Sequence, residues 1–355
     1  MSWLKHHVSW LKWLFAIALL GALLWVNRAG LADLSGREIG WSFFVAALAV
    51  RLVGMCLTFF RWWLLVTGIG LPFSVKDAFR LGLLGEACNL MGPGAVGGDL
   101  IKAISLAKDH PGRRASASAT VLLDRVLGLW ALFVAGALAS LVPLATKPGP
   151  EMQWAVWVLW GGSLAGLIGL GLMLQPAVTH SRLMHWLTTW RGVGHIVKEL
   201  MDSISLYQGR PRAIVAAGAL SLCGHVAFLS AFYLCAVALH GDRPIPGYVE
   251  HLVGLPLPEA ISAAVPTPGG IGALEAALAW FYQQHQQTLD PASSAGVLEA
   301  ARANGLLTAL AYRMTTLIVG AFGIVYYFAA KRELGATLDA KSDEASVSSD
   351  PAKSL

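Results

Sequence analysis

Apolar residues form long runs along most of this chain, and polar residues gather in the shorter stretches between them. A helix needs about 20 apolar residues to cross the hydrocarbon core of a bilayer. Six runs are long enough, and we predict that each forms a membrane-spanning helix. These runs cover residues 10–27, 40–67, 116–143, 153–175, 212–240 and 298–330.

Two further apolar regions, 75–108 and 248–285, carry charges and are interrupted by proline and glycine. Irregular backbone inside a bilayer is tolerated only where protein or water satisfies its polar groups. We therefore predict two re-entrant helical hairpins, each entering and leaving on one side of the membrane, although full spans stay open as the alternative. The helix-breaking residues are Pro93, Gly94, Pro266 and Pro268.

Loop charges predict the orientation, because cytoplasmic loops carry an excess of Lys and Arg. Basic residues outnumber acidic ones in 67–115 and 176–211, whereas Arg243 is the only Lys or Arg in 241–299. We therefore expect both termini in the cytoplasm and the two hairpins on opposite sides. The amphipathic segment 176–211 is predicted to lie on the cytoplasmic surface.

The broken regions also resemble each other. LGEACNLMGPGAVGGD at 84–99 aligns with LPEAISAAVPTPGGIGALE at 257–275, and Glu259 follows Glu86 by 173 positions. Because the loop charges place the two regions on opposite sides of the membrane, the repeats are predicted to be inverted. Inverted repeats with interrupted helices are typical of transporters that bind their substrate near the bilayer midplane.

Each repeat combines a span, a broken hairpin and a second span with a central arginine. The first repeat covers 40–143 and the second 212–330, and Arg125 matches Arg313 if residues around 284–295 are an insertion. The predicted fold class is an all-α polytopic membrane protein with one transmembrane domain over residues 1–332. The polar tail 333–355 is predicted to be disordered.

Composition excludes most soluble classes. The chain is 56% hydrophobic and 13% charged, against about 25% charged residues in soluble domains. A net charge of +5, scattered along the chain, gives no basis for nucleic-acid binding. The four cysteines lie in apolar stretches without a C-x-x-C pair, so we predict no metal site and no cofactor.

A nucleotide-binding interpretation of Gly92-x-Gly94-x-x-Gly97 fails, because no strand precedes these glycines and no βαβ pattern surrounds them. The glycines instead end one half-helix and begin another. A helix start exposes backbone N–H groups and the positive end of the helix dipole. Two such starts, at 97–99 and 270–272, would attract an anion such as a lipid phosphate.

Charges inside the predicted spans are the other candidates, because a charge at the bilayer centre costs at least about 2.5–3.5 kcal/mol. The candidate substrate-binding residues are Arg61, Asn89, Gly97, Gly98, Asp99, Lys102, Arg125, Gly269, Gly270, Gly272, Glu275, Tyr312 and Arg313. The candidates for ion coupling or a structural role are Arg51, Glu86, Asp124 and Glu259. No catalytic residue is predicted.

Mutual neutralisation is the simpler interpretation of these charges. Asp99 pairs with Arg125 or Arg61 in this interpretation, and Arg313 pairs with an acidic residue of the second hairpin, Glu275 or Glu259. A paired arginine still has the geometry to bind a phosphate.

Five motifs together resemble the flippase-like family, the transmembrane region of lysylphosphatidylglycerol synthases, which also occurs in stand-alone proteins. The motifs are RWW at 61–63, N-x-x-x-P-x-x-x-G-G-D at 89–99, LLDRVLGL at 122–129, PTPGGIGALE at 266–275 and AYR at 311–313. The resemblance implies a bacterial inner-membrane protein that moves a phospholipid, a hopanoid-type lipid or a glycolipid between leaflets. No synthase domain follows within the 355 residues, so we do not expect aminoacyl-lipid synthesis.

Lipid translocation without chemical catalysis is therefore the main hypothesis. A membrane enzyme that modifies lipid headgroups is one alternative, and a subunit that presents lipids to an enzyme is another. The partners considered are a membrane lipid, a second copy of the chain and a separate lipid-modifying enzyme.

Overall fold

Eleven α-helices make up most of what the computed structural model describes, and no strand occurs in that part of the chain. The described residues are 25, 38–91, 96–142, 150–179, 181, 186, 188–190, 198, 201, 204–241, 243–265, 267 and 271–348. The helices are α1 Trp41–Gly68, α2 Val75–Met91, α3 Val96–Asp109, α4 Arg114–Ala139, α5 Pro150–Met173, α6 Pro176–Thr179, α7 Pro211–His240, α8 Tyr248–Gly254, α9 Pro256–Ala264, α10 Ala273–Leu289 and α11 Ala295–Ser348.

Five of these helices, α1, α4, α5, α7 and α11, are long and apolar enough to cross a membrane, with mean hydropathies from 1.4 to 2.2. They confirm five of the six predicted spans to within a few residues. Apart from Trp25, the sixth, 10–27, lies outside the described residues, as do 17 of the 36 residues of the predicted surface segment 176–211. The chain is therefore a multi-pass helical membrane protein.

Helices α1 and α7 form an antiparallel pair at the centre of the bundle. At one end the Gly40 amide donates to the Ala238 carbonyl over 2.8 Å, and at the other Arg210 donates to the Gly68 carbonyl over 2.7 Å. A methyl group on Gly54 would lie 2.9 Å from the Phe228 ring. Small residues of this kind let membrane helices approach closely.

Tyr207 ties the segment before α7 to α1. Its buried hydroxyl donates to the Leu65 carbonyl over 2.9 Å. Burial, and to a lesser degree the negative charge of Asp124, raises the pKa of Tyr207 above its ordinary value. The hydroxyl therefore keeps its proton and remains a donor, so this end of the bundle is held together at neutral and alkaline pH.

The first broken region forms a hairpin of α2 and α3 whose two ends both lie beside the Gly68 end of α1. His110 at the end of α3 contacts the Pro72 carbonyl just before α2, at 3.1 Å. Arg113 donates to the Ile69 carbonyl over 2.9 Å. The chain thus runs into the bundle and returns to its starting end.

The second broken region forms a hairpin of α8, α9 and α10 at the other end of the bundle, beside His240. The imidazole of His251 on α8 lies 2.8 Å from the Tyr282 hydroxyl on α10, and Glu250 lies 3.7 Å from His285. The second hairpin therefore begins and ends at the His240 end of the bundle. The two hairpins enter the bundle from opposite ends.

The last helix continues to Ser348, whereas composition predicts disorder from residue 333. The segment after Lys331 is rich in Ala, Glu, Leu and Lys, which have high intrinsic helix propensity. This propensity accounts for a helix that continues beyond the apolar part of the span, and the disorder of 333–355 stays a prediction.

The first hairpin closes through a glycine contact, since a methyl group on Gly98 would lie 2.3 Å from the Gly85 carbonyl oxygen. We expect Gly98→Ala to destabilise the protein by about 1–3 kcal/mol through overpacking. Thermal unfolding in detergent measures this loss. Gly169→Ala is the matched helical control, because nothing lies within 4 Å of its added methyl group. Equal melting temperatures for the two variants would contradict the close approach.

Candidate functional site

Two ion pairs occupy matching positions in the two hairpins. Asp99 lies in the first turn of α3 and accepts a hydrogen bond from the Nε of Arg125 on α4. Glu275 lies in the first turn of α10 and accepts a hydrogen bond from the Nε of Arg313 on α11. For each hairpin, the acid in the first turn of the helix after the break therefore pairs with the arginine of the following span. Of the pairings that the sequence left open, these two are formed.

Side chains also satisfy the backbone at both half-helix starts. The Gly98 amide donates to the Asn89 Oδ1 over 2.8 Å, which links α3 to the preceding half-helix. The Gly272 amide donates to the Glu275 Oε2 over 2.7 Å. Gly272 has φ 91°, a conformation that favours glycine. Asn89 and Glu275 therefore cap the helix starts from within the protein.

The two ion pairs differ in exposure. The side chains of Arg125 and Asp99 are 41% and 18% exposed, whereas those of Arg313 and Glu275 are 11% and 0% exposed. The pair of the first hairpin is therefore the accessible one. The pair of the second hairpin is enclosed.

Exposed apolar side chains lie on the two helices that hold the accessible pair. These large hydrophobic residues belong to α3 and α4. They are Leu100, Ile104, Leu122, Val126 and Leu129. A charged pair with an apolar border matches the chemistry of a lipid, which combines a polar headgroup with acyl chains.

Arg61 lies in a separate and fully buried network. Its Nε donates to Asp124 over 2.6 Å and its Nη1 to the Ser221 hydroxyl over 2.6 Å. Ser221 in turn donates to the Leu127 carbonyl over 3.0 Å. Asp124 thus neutralises Arg61, while the neighbouring Arg125 points to Asp99. This network joins α1, α4 and α7, and its burial favours a structural role for Arg61.

Lys102 is buried against aromatic rings. Its ammonium lies 5.5 Å from the centre of the Trp62 ring and 5.9 Å from that of Phe59, and the residue is 5% exposed. Cations are attracted to the faces of aromatic rings at such distances. The contacts of Lys102 therefore connect α3 to α1 and lie away from the exposed surface.

Arg51 and Tyr312 form the centre of the bundle. The Tyr312 ring stacks on Phe232 with centroids 3.4 Å apart, and the Arg51 guanidinium lies 4.4 Å from the Tyr312 centroid. Glu259 and Glu86, one from each hairpin, lie within electrostatic range of Tyr312. Side chains of α1, α7 and α11 thus meet at Tyr312.

A buried hydrogen-bond chain, not anticipated from the sequence, ties the second hairpin to its neighbours. His240 contacts the Thr308 hydroxyl at 3.1 Å, Thr308 contacts the Tyr282 hydroxyl at 3.2 Å, and Tyr282 contacts His251 at 2.8 Å. The other nitrogen of His251 bonds the Gly247 carbonyl, so it donates there and accepts from Tyr282. The sequence feature that could have indicated this hydrogen-bond chain is the presence of polar residues inside apolar helices.

Several predicted residues lie outside the described part of the chain, and their predictions stay open. These are Pro93, Gly94, Pro266, Pro268, Gly269 and Gly270.

The helices, the broken hairpins and the charge pairs define a polytopic helical membrane protein. The sequence model of the lysylphosphatidylglycerol synthase TM region matches residues 9–323, which is most of the chain. The chain therefore belongs to this lipid-related family. No curated protein matches the sequence.

Exposure predicts unequal costs for breaking the two ion pairs. Glu275→Gln leaves the enclosed Arg313 without its counter-charge, which typically costs about 3–5 kcal/mol. Asp99→Asn affects a pair open to its surroundings, for which about 0–1 kcal/mol is typical. We expect Glu275→Gln to lower the melting temperature in detergent clearly more than Asp99→Asn. The reverse order would contradict the assigned burial.

Proposed function

We propose that this protein transports a lipid with an anionic group in its headgroup from one membrane leaflet to the other. The observation that carries this proposal is the accessible Asp99–Arg125 pair, which lies at a helix start within an apolar surface. Its enclosed counterpart, Glu275–Arg313, lies in the hairpin that enters from the opposite end. The family's link to lipids supports the same conclusion.

The headgroup binds at the exposed side of Arg125. A guanidinium forms paired hydrogen bonds with phosphate oxygens, and the first turn of α3 adds the positive end of its helix dipole. The acyl chains lie along the exposed leucines, isoleucine and valine of α3 and α4. Only the headgroup therefore has to leave the polar surface of the membrane, while the chains remain in an apolar environment.

Movement follows from the inverted arrangement. Each hairpin is re-entrant, the first from the cytoplasmic side and the second from the outer side of the bacterial inner membrane, as the loop charges indicate. Rocking one repeat against the other exposes the two arginine sites alternately. The protein acts without chemical change to the lipid.

Lipid exchange in reconstituted vesicles tests the proposal. Purified protein is placed in vesicles of phosphatidylcholine with a trace of fluorescent phosphatidylglycerol, and a membrane-impermeant quencher follows the loss of label from the inner leaflet. We expect the protein to accelerate exchange, and Arg125→Gln to slow it at least tenfold because the phosphate loses its bidentate partner.

Arg114→Gln is the matched control, since Arg114 lies on the same helix, exposed at its first residue. It is expected to exchange lipid like the wild type. Wild-type vesicles no faster than protein-free vesicles would contradict lipid transport. Mass spectrometry of the recovered lipid is the second readout, and a modified headgroup would favour an enzyme.

A further inference from the structure

Arg51 is a cation inside the spanning helix α1, and no acidic side chain among the described residues forms an ion pair with it. Its Nη1 is buried and has no hydrogen-bond partner. A charge inside a bilayer is costly and is by default a candidate for function, and a buried donor without a partner needs an explanation. Neither is provided by the ion pairs described above.

Two aromatic rings from other helices face the Arg51 guanidinium. Its central carbon lies 4.4 Å from the ring centroid of Tyr312 on α11 and 5.8 Å from that of Phe228 on α7. Tyr312 itself stacks on Phe232, which holds its ring in place. Ring faces attract a cation, but they carry no counter-charge. The rings therefore position the guanidinium without neutralising it.

Arg61, on the same helix, is neutralised from within the protein. Its Nε donates to Asp124, the residue that precedes Arg125 in sequence. When Arg125 is aligned with Arg313, Tyr312 takes the place of Asp124. Two arginines of α1 thus meet matching positions of two later spans, and a carboxylate occupies only the first of these positions.

The two positions also lie at different depths in the bundle. Arg51 is about 15 Å further than Arg61 towards the Trp41 end of α1, at 1.5 Å per residue. Arg61 bonds the neighbour of Arg125, so Arg51 lies beyond Arg125 on the way to the opposite end. Its contacts with Tyr312 and Phe228 join α1 of the first predicted repeat to α11 and α7 of the second. Movement of one repeat against the other therefore changes what Nη1 meets.

We propose that Arg51 is a second binding site for a phosphate group, which the lipid headgroup reaches after leaving Arg125. The proposal rests on the lipid transport proposed above. When the repeats move, phosphate oxygens accept paired hydrogen bonds from the guanidinium and supply the missing counter-charge. The rings of Tyr312 and Phe228 line the site. The headgroup thus passes from one arginine to the next across the membrane.

Photolabelling in reconstituted vesicles tests this site. The probe is phosphatidylglycerol with a diazirine on its glycerol headgroup, and mass spectrometry identifies the labelled peptides. We expect labels on α1 around Arg51 and on α11 around Tyr312, besides those on α3 and α4 around Arg125. Arg51→Gln is expected to reduce the labelling of α1 and α11 about tenfold or more, because a charge-assisted pair of hydrogen bonds is lost. Labelling around Arg125 is expected to remain.

Lipid exchange and stability are the second and third readouts. Arg51→Gln is expected to slow the exchange of fluorescent phosphatidylglycerol about tenfold or more. It is expected to lower the melting temperature clearly less than Arg61→Gln, which leaves Asp124 buried without its counter-charge. Arg51→Lys keeps the charge but lacks the paired donors, so intermediate labelling is expected. Arg212→Gln is the control, because Arg212 is exposed in the first turn of α7.

Inorganic phosphate separates the two sources of a phosphate group. Labelling around Arg51 that persists in excess inorganic phosphate supports a lipid headgroup as the ligand. Loss of this labelling at phosphate concentrations that spare the labels around Arg125 would show a site for free phosphate and overturn the lipid assignment.

Three further results would overturn the proposal. One is equal labelling around Arg51 in the wild type and in folded Arg51→Gln. Another is a fall in melting temperature as large as that of Arg61→Gln, which would show that the protein neutralises Arg51 itself. The third is wild-type exchange in folded Arg51→Gln. A wild type that exchanges no lipid would overturn the proposed transport, whereas labelling that depends on Arg51 would still establish the phosphate site.

Discussion

A helix that breaks inside a membrane leaves backbone groups without partners, and the rest of this structure depends on how the protein satisfies them. Both hairpins use a charged residue in the first turn of the second half-helix, Asp99 or Glu275, held by an arginine of the next span. The cost of leaving Arg313 enclosed without its counter-charge makes the second pair mutually dependent, whereas the first pair is partly exposed. The pairs therefore attach each hairpin to the span that follows it.

The same kind of ion pair occurs in both hairpins, but with unequal exposure. The Arg125 pair is accessible and the Arg313 pair is enclosed, an asymmetry that fits the alternating exposure proposed above. In a separate cluster, the Arg51 guanidinium of α1 lies against the Tyr312 ring of α11.

Much of the fold was predictable, because apolar runs and helix breakers are local signals. Five span positions and the hairpin breaks followed from them, and Asp99–Arg125 was one of the pairings considered. The partner of Arg61 was missed, because Asp124 and Arg125 are adjacent in sequence and only the helix geometry shows that they face different neighbours. The aromatic contacts of Lys102 depend on three-dimensional packing, for which the sequence holds no periodic signal.

The opposite directions of the two hairpins are the central claim, and labelling of single cysteines tests it most directly. In a background without the four native cysteines, Gly112→Cys reports the end of the first hairpin and Gly296→Cys the end of the second, since both positions have open space around an added side chain. An impermeant maleimide applied to intact spheroplasts is predicted to label Gly296→Cys at once and Gly112→Cys only after permeabilisation. Labelling of both positions from the same side would contradict the account.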